Sequence, residues 1–377
     1  MKVAVPKETH PGEKRVPLIP AGAEKLTKLG MKVQIEAGMG LTAGYNDAAY
    51  LSAGATVAQD LPTLLAGTSV VLRIRKPPLA DIPHLPAGGI HISFLDPFNE
   101  RELIEHLRNA KVSTISMEMI PRTTRAQKMD ALSSQANLAG YVAVILAADA
   151  SDKIFPMMTT PAGTIAPAKV FVIGAGVAGL QAIATARRLG ARVEAYDTRS
   201  VVEEQVKSLG AKFVKIDVGE TGQTKDGYAK ELTEEQLARQ REAMANNCAQ
   251  SDVVVTTAQV FGRRAPRILT ADMVARMKPG SVIVDMAVES GGNVEGSECD
   301  RVVIQHGVKI IGLSNLPSRV CVHASQMYSN NLVALLEELW DGDKQQFVLN
   351  RDDEIVRGCL VTHEGHMVNE TIQQRFK

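Results

Sequence analysis

One stretch of this 377-residue sequence limits the possible folds more than any other, because it joins a strand to a helix through a glycine-rich turn. The apolar run Lys169–Ile173 leads directly into Gly174–Gly179, with the sequence GAGVAG, and an apolar helical pattern follows. In this context Gly174 permits a tight turn, Gly176 leaves space beside the backbone and Gly179 lets helix and strand pack closely. The start of such a helix suits the pyrophosphate of a dinucleotide.

The acidic residue that completes a dinucleotide site follows the next strand pattern, RVEAYD. Asp197 lies about 20 residues beyond the first glycine, where a carboxylate can accept hydrogen bonds from the adenosine ribose. The same carboxylate would repel a 2′-phosphate, which favours NAD(H) over NADP(H). Arg199 works in the opposite direction, since an arginine at this point can accommodate that phosphate. We interpret Arg199 as a solvated or helix-start residue, so the sequence predicts an NAD(H) site.

Strand and helix patterns alternate through most of the chain, which predicts parallel, doubly wound sheets. The length exceeds the roughly 250 to 300 residues at which a single core stops growing, so two domains are expected. The predicted fold class is α/β, with two doubly wound Rossmann-like domains that have parallel sheets and are joined by long helices. We expect a composite first domain from residues 1–132 and 322–377, and an NAD(H)-binding domain from residues 133–321.

Eleven short runs are predicted as the strands of these domains. They are Lys2–Val5, Lys32–Glu36, Val70–Ile74, Gly89–Phe94, Val112–Met117, Lys169–Ile173, Arg192–Asp197, Lys212–Ile216, Asp252–Thr256, Ser281–Asp285 and Val308–Gly312. Helices are predicted at Ala21–Leu29, Glu100–Asn109, from about Asp130 to Ala150, and at Val322–Trp340. The stretch Pro156–Pro167 is rich in Pro and Thr and is predicted to be a linker.

Charge and cysteine content exclude several classes of function. The 42 basic and 42 acidic residues give a formal net charge of zero, so no global positive field attracts nucleic acid. None of the four cysteines forms a CxxC pair, which predicts no metal site and favours buried free thiols. The first residues lack the apolar stretch of a signal peptide, and Ala131–Ala148 and Val170–Ala186 fall short of the roughly 20 apolar residues that span a bilayer. We therefore expect a cytoplasmic protein.

Three segments carry a resemblance to known families over essentially the whole chain: MKVAVPKETHPGEKRVPLIP, IPRTTRAQKMDALSSQANLAGY and GAGVAGLQAIATARRLGARVEAYD. They resemble alanine dehydrogenase and the related NAD(H)-binding component of proton-translocating nicotinamide nucleotide transhydrogenase. The dehydrogenase needs a proton-transfer group and cations that hold a carboxylate. By resemblance Arg15 matches one of its groups, but Arg75 stands in the position of a Lys, Asp96 in that of a His and Glu289 in that of an Asp. These substitutions favour the transhydrogenase component.

The segment PRTTRAQKMDALSSQ is similar to the nicotinamide-binding segment of the transhydrogenase component. The resemblance implies that Arg122, Gln127, Asp130 and Ser133 contact the dihydronicotinamide and its carboxamide. Gln and Ser can hydrogen-bond an amide, and Arg with Asp can fix the orientation of the ring. Taken without the resemblance, Asp130 and Ser133 are typical of helix N-terminal capping. Both interpretations stand at this point.

Two further segments match the same family. In VGETGQTKDGYAKELTEEQ the resemblance implies a mobile loop whose Tyr228 closes over bound nucleotide, whereas the residues alone are typical of a disordered surface loop. In TTAQVFGRRAP the strand end is expected beside the nucleotide, although Arg263 and Arg264 make this loop more basic than the family pattern. The predicted cofactor-binding residues are Gly174, Ala175, Gly176, Val177, Ala178, Gly179, Asp197, Thr198, Arg199, Tyr228, Thr257, Ala258 and Gln259.

The resemblance also implies an activity and partners. NAD(H) would bind to this chain and NADP(H) to a partner component, with direct hydride transfer from NADH to NADP⁺ and no metal. Such a reaction needs close placement of two nicotinamide rings and no proton-transfer group. A separate membrane-spanning component would couple the transfer to proton translocation and hold the chain, a homodimer, on the cytoplasmic face of the inner membrane. A stand-alone amino-acid dehydrogenase and an NAD(H)-sensing module remain the alternatives.

Overall fold

The computed structural model describes residues 1–216 and 233–377, and the chain divides into two compact units. Unit 1 comprises Met1–Gln135 and Pro317–Lys377, and unit 2 comprises Ala136–Leu316. Each unit is built on a large sheet of its own. The domain limits expected from the sequence stay a prediction, because compact packing does not measure independent folding. The proposed lid residue Tyr228 lies outside the described residues.

The strands are numbered in chain order. They are β1 (Lys2–Val5), β2 (Lys32–Glu36), β3 (Thr56–Ala58), β4 (Val70–Leu72), β5 (Ile90–Ser93), β6 (Ser113–Ser116), β7 (Met158–Thr160), β8 (Gly163–Ile165), β9 (Lys169–Ile173), β10 (Arg192–Tyr196), β11 (Lys212–Phe213), β12 (Val253–Thr256), β13 (Val282–Asp285), β14 (Arg301–Gln305), β15 (Val308–Gly312), β16 (Trp340–Asp341), β17 (Gln346–Phe347), β18 (Leu360–His363) and β19 (His366–Met367).

The α-helices follow the same numbering. They are α1 (Pro20–Lys28), α2 (Asp47–Ser52), α3 (Leu61–Leu65), α4 (Arg101–Asn109), α5 (Ala131–Ala150), α6 (Val177–Arg188), α7 (Glu203–Ser208), α8 (Glu234–Gln250), α9 (Ala271–Ala275), α10 (Cys321–Leu339), α11 (Glu354–Cys359) and α12 (Glu370–Phe376). Most connections in each unit therefore alternate strand and helix, as the sequence pattern predicts.

The sheet of unit 1 has the order β19-β18-β6-β5-β4-β1-β2-β3. Strands β1 to β6 pair in parallel, so that Val3 of β1 lies opposite Val33 of β2 and Val70 of β4. Strands β18 and β19 extend the edge in antiparallel fashion. These valines are buried and belong to one core with Tyr328 and Leu332 of α10. Burial of this apolar surface drives the packing of the helix on the sheet.

The sheet of unit 2 has the order β11-β10-β9-β12-β13-β15-β14. Every pair is parallel except β14 with β15 at the edge. Counted from β9, the parallel strands follow the order 3-2-1-4-5-6 of the doubly wound fold, and the order reverses between β9 and β12. Ligands of such sheets bind at the carboxyl ends of the strands beside this switch point. The fold class predicted from the sequence is thus confirmed.

The predicted linker Pro156–Pro167 contains a feature that the sequence analysis missed. Strands β7 and β8 pair there as an antiparallel hairpin, with Met158 opposite Ile165. All six of its strand residues are exposed. The linker interpretation failed because the flanking prolines dominate the pattern, while the strand residues are too few to show the alternation of a half-buried strand.

Two smaller expectations also need correction. The sequence predicted four buried free thiols, and Cys248 and Cys359 are buried. Cys299, in the turn before β14, is exposed, and Cys321, at the start of α10, is half-buried. Helix α5 has 20 residues, two more than the uncharged run Ala131–Ala148, and it is long and apolar enough to cross a membrane by length and composition. A single helix of this kind is weak evidence, because the core helix of a soluble protein passes the same test.

Candidate functional site

Two glycines of the turn after β9 are required by close contacts. Gly174 has φ +96°, and a Cβ atom there would lie 2.5 Å from Oγ1 of Thr257. A Cβ atom on Gly179 would lie 1.8 Å from the carbonyl oxygen of Gly174. Because real side chains do not tolerate such distances, these positions accept only glycine without a shift of helix α6 against the turn.

The third glycine has the opposite surroundings. A Cβ atom on Gly176 would meet nothing within 4 Å, so the backbone there borders open space. Gly176 is the N-cap of α6, and its carbonyl accepts the first intrahelical hydrogen bond from Leu180 at 2.8 Å. The N–H groups of Val177, Ala178 and Gly179 therefore have no acceptor within the helix. Open space beside three such donors at the positive end of a helix dipole is suited to an anion.

Asp197 follows β10 and closes the other side of the turn. Its Oδ2 accepts hydrogen bonds from the N–H of Ala175 at 2.8 Å and from Nη2 of Arg199 at 3.0 Å. Its Oδ1 accepts from the N–H of Arg199 at 2.8 Å and from Nε at 3.0 Å. Burial raises the pKa of the carboxyl, but the hydrogen bonds from Arg199 and Ala175 outweigh burial, and the pKa is lowered. Asp197 is therefore an anion at neutral pH.

Arg199 begins the short 3₁₀ turn Ser200–Val202 and is partly exposed, in line with a helix-start residue. Its guanidinium is nevertheless bound to Asp197, which the sequence analysis did not anticipate. Thr198, between the two, is exposed. A pairing between residues only two positions apart depends on the local backbone, which periodicity does not reveal.

The end of β12 is fastened to the glycine turn. Thr257 donates from Oγ1 to the carbonyl of Gly174 at 3.1 Å, and from its N–H to that of Ile173 at 2.9 Å. Ala258 donates its N–H to Oδ1 of Asn293 at 3.1 Å, and its carbonyl accepts from Nδ2 at 2.8 Å. Gln259 is exposed and donates from Nε2 to the carbonyl of Met286 at 2.9 Å. The two strand ends thus form one connected surface.

Two residues that hold this surface were missed. Asn293 is fully buried and also donates to the carbonyl of Pro266 at 2.8 Å. Asp285, at the end of β13, is fully buried and accepts from the N–H groups of Asn293 at 3.1 Å and Ala287 at 3.0 Å. Their only signal in the sequence is a polar side chain at a strand end and another after a glycine pair, which is too common to be specific.

The segment after β6 in unit 1 contains the other four predicted residues. Asp130 accepts from the N–H of Ser133 at 2.9 Å and from its Oγ at 2.6 Å. These are the hydrogen bonds of an N-cap, so the capping interpretation describes the geometry of α5. Gln127 begins the 3₁₀ turn that precedes this cap and is exposed, and Arg122 is exposed as well. Their amide and guanidinium groups are accessible to a ligand.

The positions matched to the dehydrogenase form a different arrangement. Arg15 is buried and donates to Glu13 from Nε at 2.8 Å and from Nη2 at 2.7 Å, and to Oε1 of Gln135 from Nη1 at 2.9 Å. Nε of Arg75 lies 3.2 Å from the same Glu13. Burial raises the pKa of Glu13, but hydrogen bonds and charge from Arg15 and then the charge of Arg75 lower it to about 2. Both arginines are therefore paired with a carboxylate of the chain itself, that of Glu13.

The two remaining positions are in loops. Asp96 follows β5 with φ +50° and accepts from Nδ2 of Asn99 at 2.8 Å. Glu289 lies in the 3₁₀ turn Val288–Ser290 and accepts from the N–H of Asn315 at 3.4 Å. In residues 1–216 and 233–377, no group of three or more His, Cys, Asp or Glu side chains is placed to hold a metal ion.

The sheet order of unit 2, with a glycine turn, a helix N-terminus and a carboxylate at its switch point, defines the class of doubly wound, dinucleotide-binding α/β proteins. Family models agree with this class and narrow it. The model "Alanine dehydrogenase/PNT, N-terminal domain" matches residues 4–139, and "Alanine dehydrogenase/PNT, C-terminal domain" matches residues 143–370. The chain therefore belongs to the alanine dehydrogenase/PNT family.

Individual relatives favour one branch of the family. The chain is 44% identical to an NAD(P) transhydrogenase subunit alpha polypeptide of Rhodospirillum rubrum, over 99% of each chain. A crystal structure of transhydrogenase from Sinorhizobium meliloti matches with a TM-score of 0.88 and 44% identity, over 98% of this chain and 100% of that one. Alanine dehydrogenase of Halomonas elongata is 30% identical over 100% of this chain and 97% of its own length. The resemblance predicted from the sequence is confirmed.

Proposed function

We propose that unit 2 binds NAD(H) at the switch point between β9 and β12. The main observation that supports this proposal is the open space beside Gly176, next to the N–H groups at the start of α6. Such a space is suited to the pyrophosphate of the dinucleotide. Asp197 then accepts hydrogen bonds from the adenosine ribose, and Thr257, Ala258 and Gln259 line the nucleotide from the adjacent strand end.

We propose further that the chain is the NAD(H)-binding component of a transhydrogenase. A hydride, with both electrons of its C–H bond, leaves C4 of NADH and bonds to C4 of NADP⁺ on a partner chain, which yields NAD⁺ and NADPH. Arg122, Gln127, Asp130 and Ser133 are proposed to bind the dihydronicotinamide. The transfer moves no substrate proton, so these residues orient the ring rather than act as acids or bases. Tyr228 is the proposed lid.

The names of the relatives support the proposed partners. The relative from R. rubrum is named for an alpha subunit of transhydrogenase, which implies other subunits in its assembly. We propose an NADP(H)-binding component and a membrane-spanning component that couples hydride transfer to proton translocation. In this proposal the chain is a homodimer that its partners hold on the cytoplasmic face of the inner membrane. No metal is required by this chemistry.

An amino-acid dehydrogenase is the second candidate, favoured by the presence of Arg15. Its substrate carboxylate would need a cation, whereas Arg15 and Arg75 both pair with Glu13. The His position of that family is occupied by Asp96, which lacks the imidazole that the family uses for proton transfer. These contacts favour the transhydrogenase component.

The discriminating experiment mixes the purified chain with an NADP(H)-binding transhydrogenase component. We expect hydride exchange between NADH and an oxidised NADP analogue, followed by absorbance, only when both proteins are present. NADH binding without exchange would favour an NAD(H)-sensing module. Oxidation of NADH by the isolated chain with pyruvate and ammonia would establish the dehydrogenase. Tighter binding of NADPH than NADH would contradict the assignment of the cofactor.

The four nicotinamide-binding residues need a separate test because two of them also cap α5. Gln127→Ala should slow hydride exchange strongly while leaving the NADH dissociation constant within about threefold, since the nicotinamide is expected to supply little of the binding energy of the dinucleotide. Lys128→Ala, at the neighbouring exposed position, is the matched control. Equal rates in both variants would remove Gln127 from the proposed set.

A further inference from the structure

The carboxylate that would bind the ribose is fully occupied by the chain itself. Two oxygens of a carboxylate offer about four acceptor sites, and Asp197 accepts four hydrogen bonds. Two donors are backbone N–H groups, of Ala175 and Arg199, that are fixed by the turn. The other two, Nε and Nη2, belong to the Arg199 side chain, which is 53% exposed against 7% for Asp197. The guanidinium is therefore the donor that can leave.

The proposed contact between Asp197 and the ribose requires that the Arg199 guanidinium move away. The adenosine ribose of NADH donates from its 2′ and 3′ hydroxyls, and these need the acceptor sites that the guanidinium fills. A 2′-phosphate has the opposite requirement, because it carries negative charge and needs a cation beside it. With Arg199 in place, the charge of Asp197 is locally neutralised. The Arg199 side chain thus opposes the binding of NADH and reduces the electrostatic repulsion that opposes the binding of NADPH.

We propose that Arg199 is a specificity-determining gate of the nucleotide site. Its guanidinium covers Asp197 before nucleotide binds and swings away when the ribose of NAD(H) enters. When a 2′-phosphate enters instead, Arg199 pairs with the phosphate and reduces its repulsion by Asp197. This inference rests on the proposed binding of NAD(H) in unit 2. It predicts that Arg199 weakens discrimination between NADH and NADPH rather than creating it.

The size of the effect follows from the exposure of the pair. Half-exposed ion pairs are weak, so closure by Arg199 should reduce the apparent NADH affinity by only about two- to fivefold. Loss of the cation leaves a buried carboxylate facing a phosphate, and like charges in contact should weaken NADPH binding by about tenfold or more. The two effects have opposite signs, which separates the gate from a general loss of binding.

The test compares Arg199→Gln with Arg192→Gln. Arg192 is exposed at the opposite end of β10, so the control removes the same charge at a distance from the turn. Dissociation constants for NADH and NADPH are measured by equilibrium titration at fixed ionic strength. We expect Arg199→Gln to bind NADH about two- to fivefold more tightly and NADPH about tenfold more weakly, while Arg192→Gln matches the wild type.

Two outcomes would overturn the gate. Equal weakening of both nucleotides in Arg199→Gln would show that Arg199 only contributes binding energy, and unchanged constants would show that its pairing with Asp197 has no role in binding. Arg199→Lys, which keeps the charge without the two-pronged guanidinium, should retain NADPH binding near the wild type if charge is the cause. If the wild-type chain binds no NADH, the proposed function fails first and the gate with it.

Discussion

The two units use the same strand order around a switch point but fill that point differently. In unit 2 the first strand, β9, ends at Ile173, just before Gly174, and the space beside Gly176 is open. In unit 1 the corresponding strand, β1, ends before Pro6-Lys7-Glu8, and a carboxylate of Glu8 accepts from the N–H of Ile74 beyond β4 at 2.5 Å. Glu13 then pairs with Arg15 and Arg75. Charged side chains therefore fill the switch point of unit 1, whereas backbone without side chains borders the switch point of unit 2.

This difference shows that topology alone does not make a binding site. Both sheets bring two strand ends together, but unit 2 combines helix N–H groups that lack intrahelical acceptors with free volume beside them. Unit 1 pairs its own charges there, which stabilises the fold and occupies the cations that a substrate carboxylate would use. The four predictions that follow are ordered by the size of the expected effect.

The largest effect should come from the charged cluster of unit 1. Glu13→Gln removes the carboxylate that forms the ion pair with buried Arg15, and breaking a buried pair of this kind costs about 3 kcal/mol or more. Trp340, the one tryptophan of the sequence, packs on Phe347 in unit 1 and reports the unfolding of that unit by fluorescence in denaturant. Glu24→Gln, in an exposed pair with Lys28, should cause no measurable change.

The same variant sharpens the comparison, because unit 1 is not the proposed site of the dinucleotide pyrophosphate. Without denaturant, and at a temperature where the chain is folded, the NADH dissociation constant of Glu13→Gln should stay within about twofold of the wild type. A stability loss under about 1 kcal/mol would contradict the account of the buried pair.

The next largest effect concerns the packing of the glycine turn. Gly179→Ala places a methyl group 1.8 Å from the carbonyl oxygen of Gly174, so α6 must shift, at a cost of about 2 kcal/mol. We expect unit 2 to lose both stability, measured by hydrogen exchange of the β9 and β12 amides, and NADH binding. Wild-type exchange rates in this variant would mean that the turn is less tightly packed than the distances indicate.

A pH effect of similar size should be confined to unit 1. His91 in β5 is fully buried, and burial followed by the charge of Arg73 lowers its pKa from 6.5 to about 3. The folded state keeps the ring neutral while the unfolded state takes up a proton, so this stability is present above pH 6.5 and is lost as the pH falls towards 3. Between pH 7.5 and pH 5 the loss should be about 2 kcal/mol.

His91→Gln isolates this effect. Burial raises the pKa of Glu8 to about 7, and that carboxyl titrates with the opposite sign in both proteins, so the difference between wild type and variant removes it. Trp340 fluorescence in denaturant at each pH gives the difference in unfolding free energy. A difference that does not change with pH would rule out a neutral, buried ring.

The smallest effect separates binding from folding within the turn. Gly176→Ala adds a methyl group that meets nothing within 4 Å, and the φ of −79° is allowed for alanine, so the fold should be unchanged. The methyl enters the space proposed for the pyrophosphate, and NADH should bind about tenfold more weakly, or about 1.4 kcal/mol. Unchanged affinity would place the pyrophosphate elsewhere.

The sequence predicted what depends on local requirements. Gly174, Gly176 and Gly179 each satisfy a need that arises within a few residues, so the strand, turn and helix follow from spacing, and the apolar runs of β1 and β9 follow from burial on both faces. The same reasoning failed for the hairpin of β7 and β8, where exposed strands show no hydrophobic period.

The sequence did not predict contacts between residues far apart in the chain, or contacts that depend on the direction of a side chain. Glu13 reaches Arg75 across 62 positions, and Asn293 reaches Ala258 across 35. Neither distance leaves a pattern in a single sequence, because any polar residue in a loop is compatible with either environment. The hydrogen bonds of Arg199 to Asp197 depend on side-chain direction, which spacing does not encode.

The most direct test of the central claim is amide hydrogen exchange measured residue by residue with and without saturating NADH. The N–H groups of Val177, Ala178 and Gly179 lack intrahelical acceptors and should gain strong protection on binding, together with the end of β12. Residues 7–16 and 73–76 around the charged cluster of unit 1 should be unchanged. Protection of that cluster without protection of the glycine turn would contradict the account.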